Sequence, residues 1–136
     1  MSAKLLDTNV LVEIVRDGLA TVTDHYVEAL AKRMELSVST VSVFEFRYGL
    51  ERSPRQAAQA GQFERLLANL TVAPFSASDA AHTARLKADL AARGQTIGAY
   101  DLMIAGQALA RGWTVVTGNT HEFSRVEGLQ LEDWTT

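Results

Sequence analysis

The chain has 136 residues, 47% of them apolar, a formal net charge of −3 and no cysteine. That length and apolar content fit one domain with a real core. They exclude a disordered segment, and the missing cysteine excludes disulfides, thiolate metal sites and a Cys nucleophile and suits a reducing cytoplasm. The acidic balance argues against general electrostatic adhesion to nucleic acid, yet leaves room for a local site where bound cations supply positive charge. No stretch approaches the ~20 apolar residues of a membrane span, and no basic segment leads into an apolar run like that of a signal peptide. A cytoplasmic protein without membrane contact is expected.

Residues 4–6 read as a short buried strand that stops at Asp7, and a helix over 8–16 begins at once. Asp, Thr and Asn suit a helix N-cap because a side-chain oxygen takes an orphan backbone N–H. Gly18 marks the stop. Residues 21–33 place Val22, Tyr26, Val27, Leu30 and Met34 on one helical stripe. Residues 36–39 alternate as a second strand, and a helix over 40–50 is broken at Ser53-Pro54. The helix over 55–68 has an apolar side of Phe63, Leu66, Leu67 and Leu70. Strand three covers 71–75. Ser76-Ala77-Ser78-Asp79 opens a helix that runs to Arg93 and stops at Gly94, and the next spans 98–111 and closes at Gly112. Strand four covers 113–117, followed by a loop or helical turn over 119–125. Residues 129–131 form a last edge strand, with Trp134 anchoring the end. Strands alternating with helices predict an α/β fold whose central sheet, of four to five strands, is mostly parallel and covered on both faces. The carboxyl ends of strands one, two and four share an edge, where open α/β sheets form ligand sites.

Three acids at that edge sit in apolar surroundings. Asp7 ends an apolar strand. Glu45 lies in Val41-Ser42-Val43-Phe44-Glu45-Phe46-Arg47-Tyr48. Asp101 shares its helix face with Ile104, Ala105, Ala108 and Leu109. A buried ionised carboxylate is costly unless paired, hydrogen-bonded or bound to metal. Ion pairs with Arg47 or Arg111, or a plain capping role, are the structural alternatives. Three carboxylates without cysteine select a hard cation, Mg²⁺ or Mn²⁺, and such a cluster suits phosphodiester hydrolysis. His25, His82 and His121 show no metal-ligand spacing. Beyond strand four, the Thr117 hydroxyl is placed to hold a carboxylate, and Asn119 to orient a water or an acid. Glu122 either adds charge to the site or caps its own turn.

These segments resemble the PIN-domain family. Leu5-Leu6-Asp7-Thr8-Asn9 resembles its opening, residues 39–49 its second acidic stretch, Ile97-Gly98-Ala99-Tyr100-Asp101 its third, and 117–134 its fourth and tail. The resemblance runs in order over essentially the whole chain and lies nearest to VapC, the toxin half of bacterial VapBC toxin–antitoxin pairs. It implies one PIN domain over 1–136, a three-layer α/β/α sandwich. It further implies a Mg²⁺- or Mn²⁺-dependent endoribonuclease whose metal-binding carboxylates are Asp7, Glu45 and Asp101. Asn119 stands where many relatives carry Asp, with Glu122 beside it to compensate. Gly118 also departs from the larger polar residue often found there. Thr8, Asn9 and Thr117 take supporting places beside the acids. Initiator tRNA is the substrate the resemblance suggests, with a homodimer and a VapB-type antitoxin as partners. The acidic site suggests inhibition by an antitoxin Arg reaching into the carboxylates. Residues 10–15 and the helix bearing Phe44, Phe46 and Tyr48 are the expected groove walls.

Two rival readings stand beside this one. An aspartate-nucleophile phosphatase also begins with a strand ending in Asp, but it usually carries a second Asp two residues on, where this chain has Asn9. A catalytically silent interaction module would keep the fold and bind a partner without turnover.

Overall fold

The computed structural model describes residues 3–136. Its sheet contains β1 (Lys4–Leu6), β2 (Leu36–Ser39), β3 (Thr71–Ala73), β4 (Thr114–Val116) and β5 (Leu131–Glu132), in the order β3-β2-β1-β4-β5, and every pairing is parallel. Around it lie α1 (Thr8–Arg16), α2 (Ala20–Ala31), α3 (Thr40–Glu51), α4 (Gln56–Leu67), α5 (Ala77–Ala92), α6 (Ala99–Arg111) and the short α7 (Thr120–Phe123).

Successive strand residues point to opposite faces, and the core divides accordingly. Leu6 and Val116 join Val10 and Leu11 of α1, Val22 of α2, Phe46 of α3 and Phe63 of α4. Leu5 and Val115 join Leu86 and Leu90 of α5, Leu102 and Ile104 of α6, and Phe123 of α7. The result is a parallel sheet covered on both faces, as the alternation of elements predicts, and the three-layer sandwich that the resemblance implies, with five strands and no antiparallel member among the described residues.

Three boundaries differ for physical reasons. Strand three ends at Ala73, since Pro74 offers no N–H to the ladder. The last strand is Leu131–Glu132, starting two residues later than expected, where the Glu132 carbonyl accepts from Thr117 N–H at 3.0 Å. The second helix ends at Ala31, and its buried residues are Val22, Tyr26 and Ala29. Val27, expected on that stripe, points to solvent.

Helix α6 packs unusually close to α5. A Cβ on Gly106 would stand 1.9 Å from the Thr83 hydroxyl oxygen and 2.9 Å from the Thr83 Cα. Only the missing side chain permits this approach, and it fixes the helix that carries Asp101. At the far end of α6, Arg111 forms a bidentate pair with buried Asp79, at 2.7 Å through Nη2 and 3.2 Å through Nε. Burial would push the Asp79 carboxyl up, but the Arg111 guanidinium and the Ser76 capping bonds outweigh it and hold the carboxyl below its ordinary value.

Candidate active site

The sheet order reverses at β1, which lies between β2 and β4. Such a switch point leaves a crevice at the strands' carboxyl ends. Asp7 sits there. It continues the strand pairing, its N–H donating to the Val116 carbonyl at 2.9 Å. It also caps α1, with Oδ1 accepting from Thr8 N–H at 2.7 Å. Its other oxygen, Oδ2, accepts from the Thr117 hydroxyl at 2.8 Å. The residue is 2% exposed. Burial raises its carboxyl above the ordinary range; the Thr117 and Thr8 hydrogen bonds oppose that rise, and the charges of Glu45 and Glu122 add to it.

Glu45 reaches toward Asp7 from α3. Its Oε1 accepts from the Thr8 hydroxyl at 2.7 Å, and Ser42 Oγ lies 2.9 Å from the same hydroxyl. Thr8 therefore links the first turns of two helices that start from neighbouring strands. Ser42 is fully buried and was not singled out in the sequence. A serine three residues before Glu45, within an apolar helix, was the available signal.

Asp101 stands in the first turn of α6. Its carboxyl is pushed up to about 7, first by burial and then by the charges of Asp7, Glu122 and Glu45. No hydrogen bond and no cation contributes to that balance. The ion pairs considered for these acids go elsewhere: Arg47 pairs with Glu64 and Arg111 with Asp79. Among the described residues, no Lys or Arg forms an ion pair with Asp7, Glu45 or Asp101.

Glu122 closes the far side. Its Oε1 accepts from Gly98 N–H at 2.5 Å, and its Oε2 accepts from Asn119 Nδ2 at 2.8 Å. These bonds hold its carboxyl below the ordinary range. Glu122 thus tethers the entry of α6, rather than capping only its own turn, and its charge still reaches Asp7 and Asp101. Asn119 orients that acid and takes its own backbone bond from N–H to Thr117 Oγ1 at 2.9 Å. Asn9 is exposed and forms no hydrogen bond to the acids among the described residues, so the structure does not join it to them. His121 is exposed as well.

Among the described residues, no three Asp, Glu or His side chains converge closely enough to ligate one ion as they stand. Asp7, Glu45, Asp101 and Glu122 are coupled through their fields rather than closed on a shared centre. The donor set is nonetheless all oxygen and anionic, with Arg125 acting on Glu122 but no Lys or Arg paired with Asp7, Glu45 or Asp101, which fits a hard divalent ion.

Of the expected groove walls, Phe46 turns inward against Phe63, ring centroids 4.0 Å apart, and Val10 and Leu11 lie in the core, whereas Phe44 and Tyr48 are exposed. Ile14 and Val15, from the expected segment 10–15, line an apolar cleft between α1, α2 and α4 together with Tyr26, Leu66, Arg65 and Asn69.

A doubly wound parallel sheet with acids grouped at its switch point is the architecture of PIN-type nucleases, and the comparisons agree. The PIN domain profile matches residues 4–129. The tRNA(fMet)-specific endonuclease VapC of Shigella flexneri is 35% identical, over 96% of this chain and 97% of that protein. The VapBC2 structure from Rickettsia felis, bound to a promoter DNA fragment, superposes with a TM-score of 0.89 at 30% identity, covering 97% of this chain and 98% of that one. DNA-bound VapBC from Salmonella typhimurium gives 0.89 at 31% identity, covering 98% and 99%. The chain belongs to the PIN-domain family, within its VapC group.

Proposed function

We propose that this chain is the toxin of a toxin–antitoxin pair, a divalent-metal-dependent endoribonuclease in which Asp7, Glu45 and Asp101 hold the metal. The observation that carries the reading is the uncompensated carboxylate group: Asp101, pushed up to about 7, faces three other acids and no cation. Such a site stores repulsion that a bound cation relieves. Mg²⁺ and Mn²⁺ both suit the oxygen donors. A divalent ion there supplies an activated water and stabilises charge on the phosphodiester oxygens.

The protein's own groups hold the acids in place. Thr117 and the Thr8 N–H fix both oxygens of Asp7. The Thr8 hydroxyl fixes one oxygen of Glu45. Asn119 and the Gly98 N–H hold Glu122 at the border, where its charge favours a metal without being required to ligate it. Asp101 is the acid left free to change its protonation when cation arrives.

The substrate is RNA, and initiator tRNA is the first candidate because the Shigella relative is a tRNA(fMet)-specific endonuclease. A nuclease acting on its host's RNA works in the cytoplasm and must be silenced. The solved relatives are VapBC complexes, which supports an antitoxin as partner. An antitoxin Arg entering the carboxylate group would make charge-assisted bonds there and displace the metal. Homodimerisation would place two such sites in one assembly. No described helix is long and apolar enough to cross a membrane.

The test is incubation of the chain with total tRNA, with and without Mg²⁺ or Mn²⁺, followed by sequencing of the cut ends. Metal-dependent cuts at one position of one tRNA support the reading. Intact tRNA under every condition would favour a silent interaction module.

A further inference from the structure

One hydroxyl in the site makes two contacts that it cannot both donate. Thr8 Oγ1 lies 2.7 Å from Glu45 Oε1 and 2.9 Å from Ser42 Oγ. A threonine hydroxyl carries one proton, and an ionised carboxylate has none to give. With Glu45 ionised, the Thr8 proton therefore goes to Glu45, and the Ser42 proton makes the second contact by donating to Thr8 Oγ1. The order is fixed: Ser42 O–H to Thr8, then Thr8 O–H to Glu45.

Ser42 has no other use among the described residues. It is fully buried, and Thr8 is the one partner of its hydroxyl. It does not bond back to a carbonyl of the preceding turn, a common resort of a helical serine. Alanine would fill nearly the same space without the cost of burying a polar group, so packing does not call for the hydroxyl.

Its place beside Thr8 carries its effect to the acids. The Thr8 N–H holds Asp7 Oδ1 at 2.7 Å while the Thr8 hydroxyl holds Glu45. Thr8 thus sets an acid at the end of β1 against one on α3. The backbone fixes the N–H, whereas a hydroxyl rotates to suit its surroundings. The Ser42 bond removes that freedom, and hydrogen bonds in series polarise and strengthen one another. Glu45 Oε2 makes no hydrogen bond among the described residues.

We propose that Ser42 is a positioning residue for the metal site: by donating to Thr8 it commits the Thr8 proton to Glu45 Oε1 and leaves Oε2 as the oxygen that Glu45 offers a divalent cation. The inference rests on the metal-dependent reading of the site. Ser42 touches neither metal nor RNA, so its removal weakens cation binding and leaves RNA binding alone.

The experiment titrates Mn²⁺ by calorimetry into the native chain, Ser42→Ala, Thr8→Val and the double variant, all without RNA. Urea stability of each metal-free protein is measured alongside. Removing a group that orients a metal ligand typically costs about 10–100-fold in metal affinity or activity. Ser42→Ala is expected to weaken Mn²⁺ binding by about 10-fold, and to raise the Mn²⁺ needed for half-maximal cleavage by the same factor, with KM for RNA unchanged. Thr8→Val weakens binding at least as much, and adding Ser42→Ala to it weakens binding no further. Native Mn²⁺ affinity in Ser42→Ala, with or without a loss of urea stability, would overturn the proposal while leaving the metal site intact. So would an equal further loss in the Thr8→Val background, because Ser42 would then not act through Thr8. If the native chain takes up no Mn²⁺, the metal reading fails first and the role of Ser42 with it.

Discussion

The Thr117 hydroxyl donates to Asp7 Oδ2 at 2.8 Å, joining residues 110 positions apart in the chain. It also accepts from Asn119 N–H at 2.9 Å, so one side chain orients the buried acid of β1 and begins the turn that carries Glu122. Thr117→Val keeps the shape and removes both functions. Hydrogen bonds to charged groups contribute about 1.5–3 kcal/mol, and an orphaned buried partner costs a similar amount. Urea denaturation should show a loss of about 2 kcal/mol for Thr117→Val, with much less for Thr117→Ser.

The acids predict a stability profile with a definite sign. Asp101 is raised to about 7, and Asp7 is raised also. Between the ordinary carboxylate value and about 7, the folded state keeps a proton on Asp101 that the unfolded state has lost. Stability of the metal-free protein from this group therefore falls as pH rises through that window, and the loss is complete above it. Asp79 and Glu132, held below their ordinary values, act oppositely: their contribution is present above the ordinary value and is lost as pH falls below it. Denaturation in EDTA should show falling stability from pH 5 to 8, with a smaller fall in Asp101→Asn.

Asp7→Asn, Glu45→Gln and Asp101→Asn should each lower RNA cleavage by about 100-fold or more, the scale of removing a group that stabilises developing charge. The metal-free fold of Asp101→Asn should be as stable as the native chain or more so, since it removes a repelled charge, whereas in Asp7→Asn that gain is offset by the loss of one of the two oxygens that accept from Thr8 and Thr117. An acid whose loss unfolds the protein while the remaining folded fraction cleaves normally is structural instead. Single-turnover cleavage alongside thermal melting separates the outcomes.

Gly106→Ala should be severe. Its Cβ would meet the Thr83 backbone at 2.9 Å, which no rotamer change relieves. Overpacking of this kind costs about 1–3 kcal/mol or more, and the shift of α6 would carry Asp101 with it. Pairing it with Thr83→Ala should recover little, because the Thr83 Cα remains in place.

Much of this arrangement was legible in the sequence, for local reasons. The apolar run into Asp7, followed at once by capping residues, specifies a strand end and a helix start at one place, and the structure has both there. Glu45 and Asp101 stood out by their apolar helical neighbours. Contacts between distant segments were not legible: nothing near Glu122 shows that it holds Gly98 N–H, 24 residues away. The aromatic residues of α3 also misled. Phe44, Phe46 and Tyr48 read as one wall, but helical spacing groups Phe44 with Tyr48 and sends Phe46 with Leu50 into the core. Val27 failed similarly, because Ala29 filled the buried position and its small size hid the true stripe.

The most direct test is a Mn²⁺ titration of the melting temperature at pH 8, comparing the native chain with Asp101→Asn. A cation that binds only the folded state stabilises it by mass action, so millimolar Mn²⁺ should raise the native melting temperature by several degrees, on the scale of about 2–4 °C per kcal/mol for a domain approaching 150 residues. Asp101→Asn should respond far less. A native melting temperature that does not move with Mn²⁺ would contradict the metal site, and with it the proposed role of Asp7, Glu45 and Asp101.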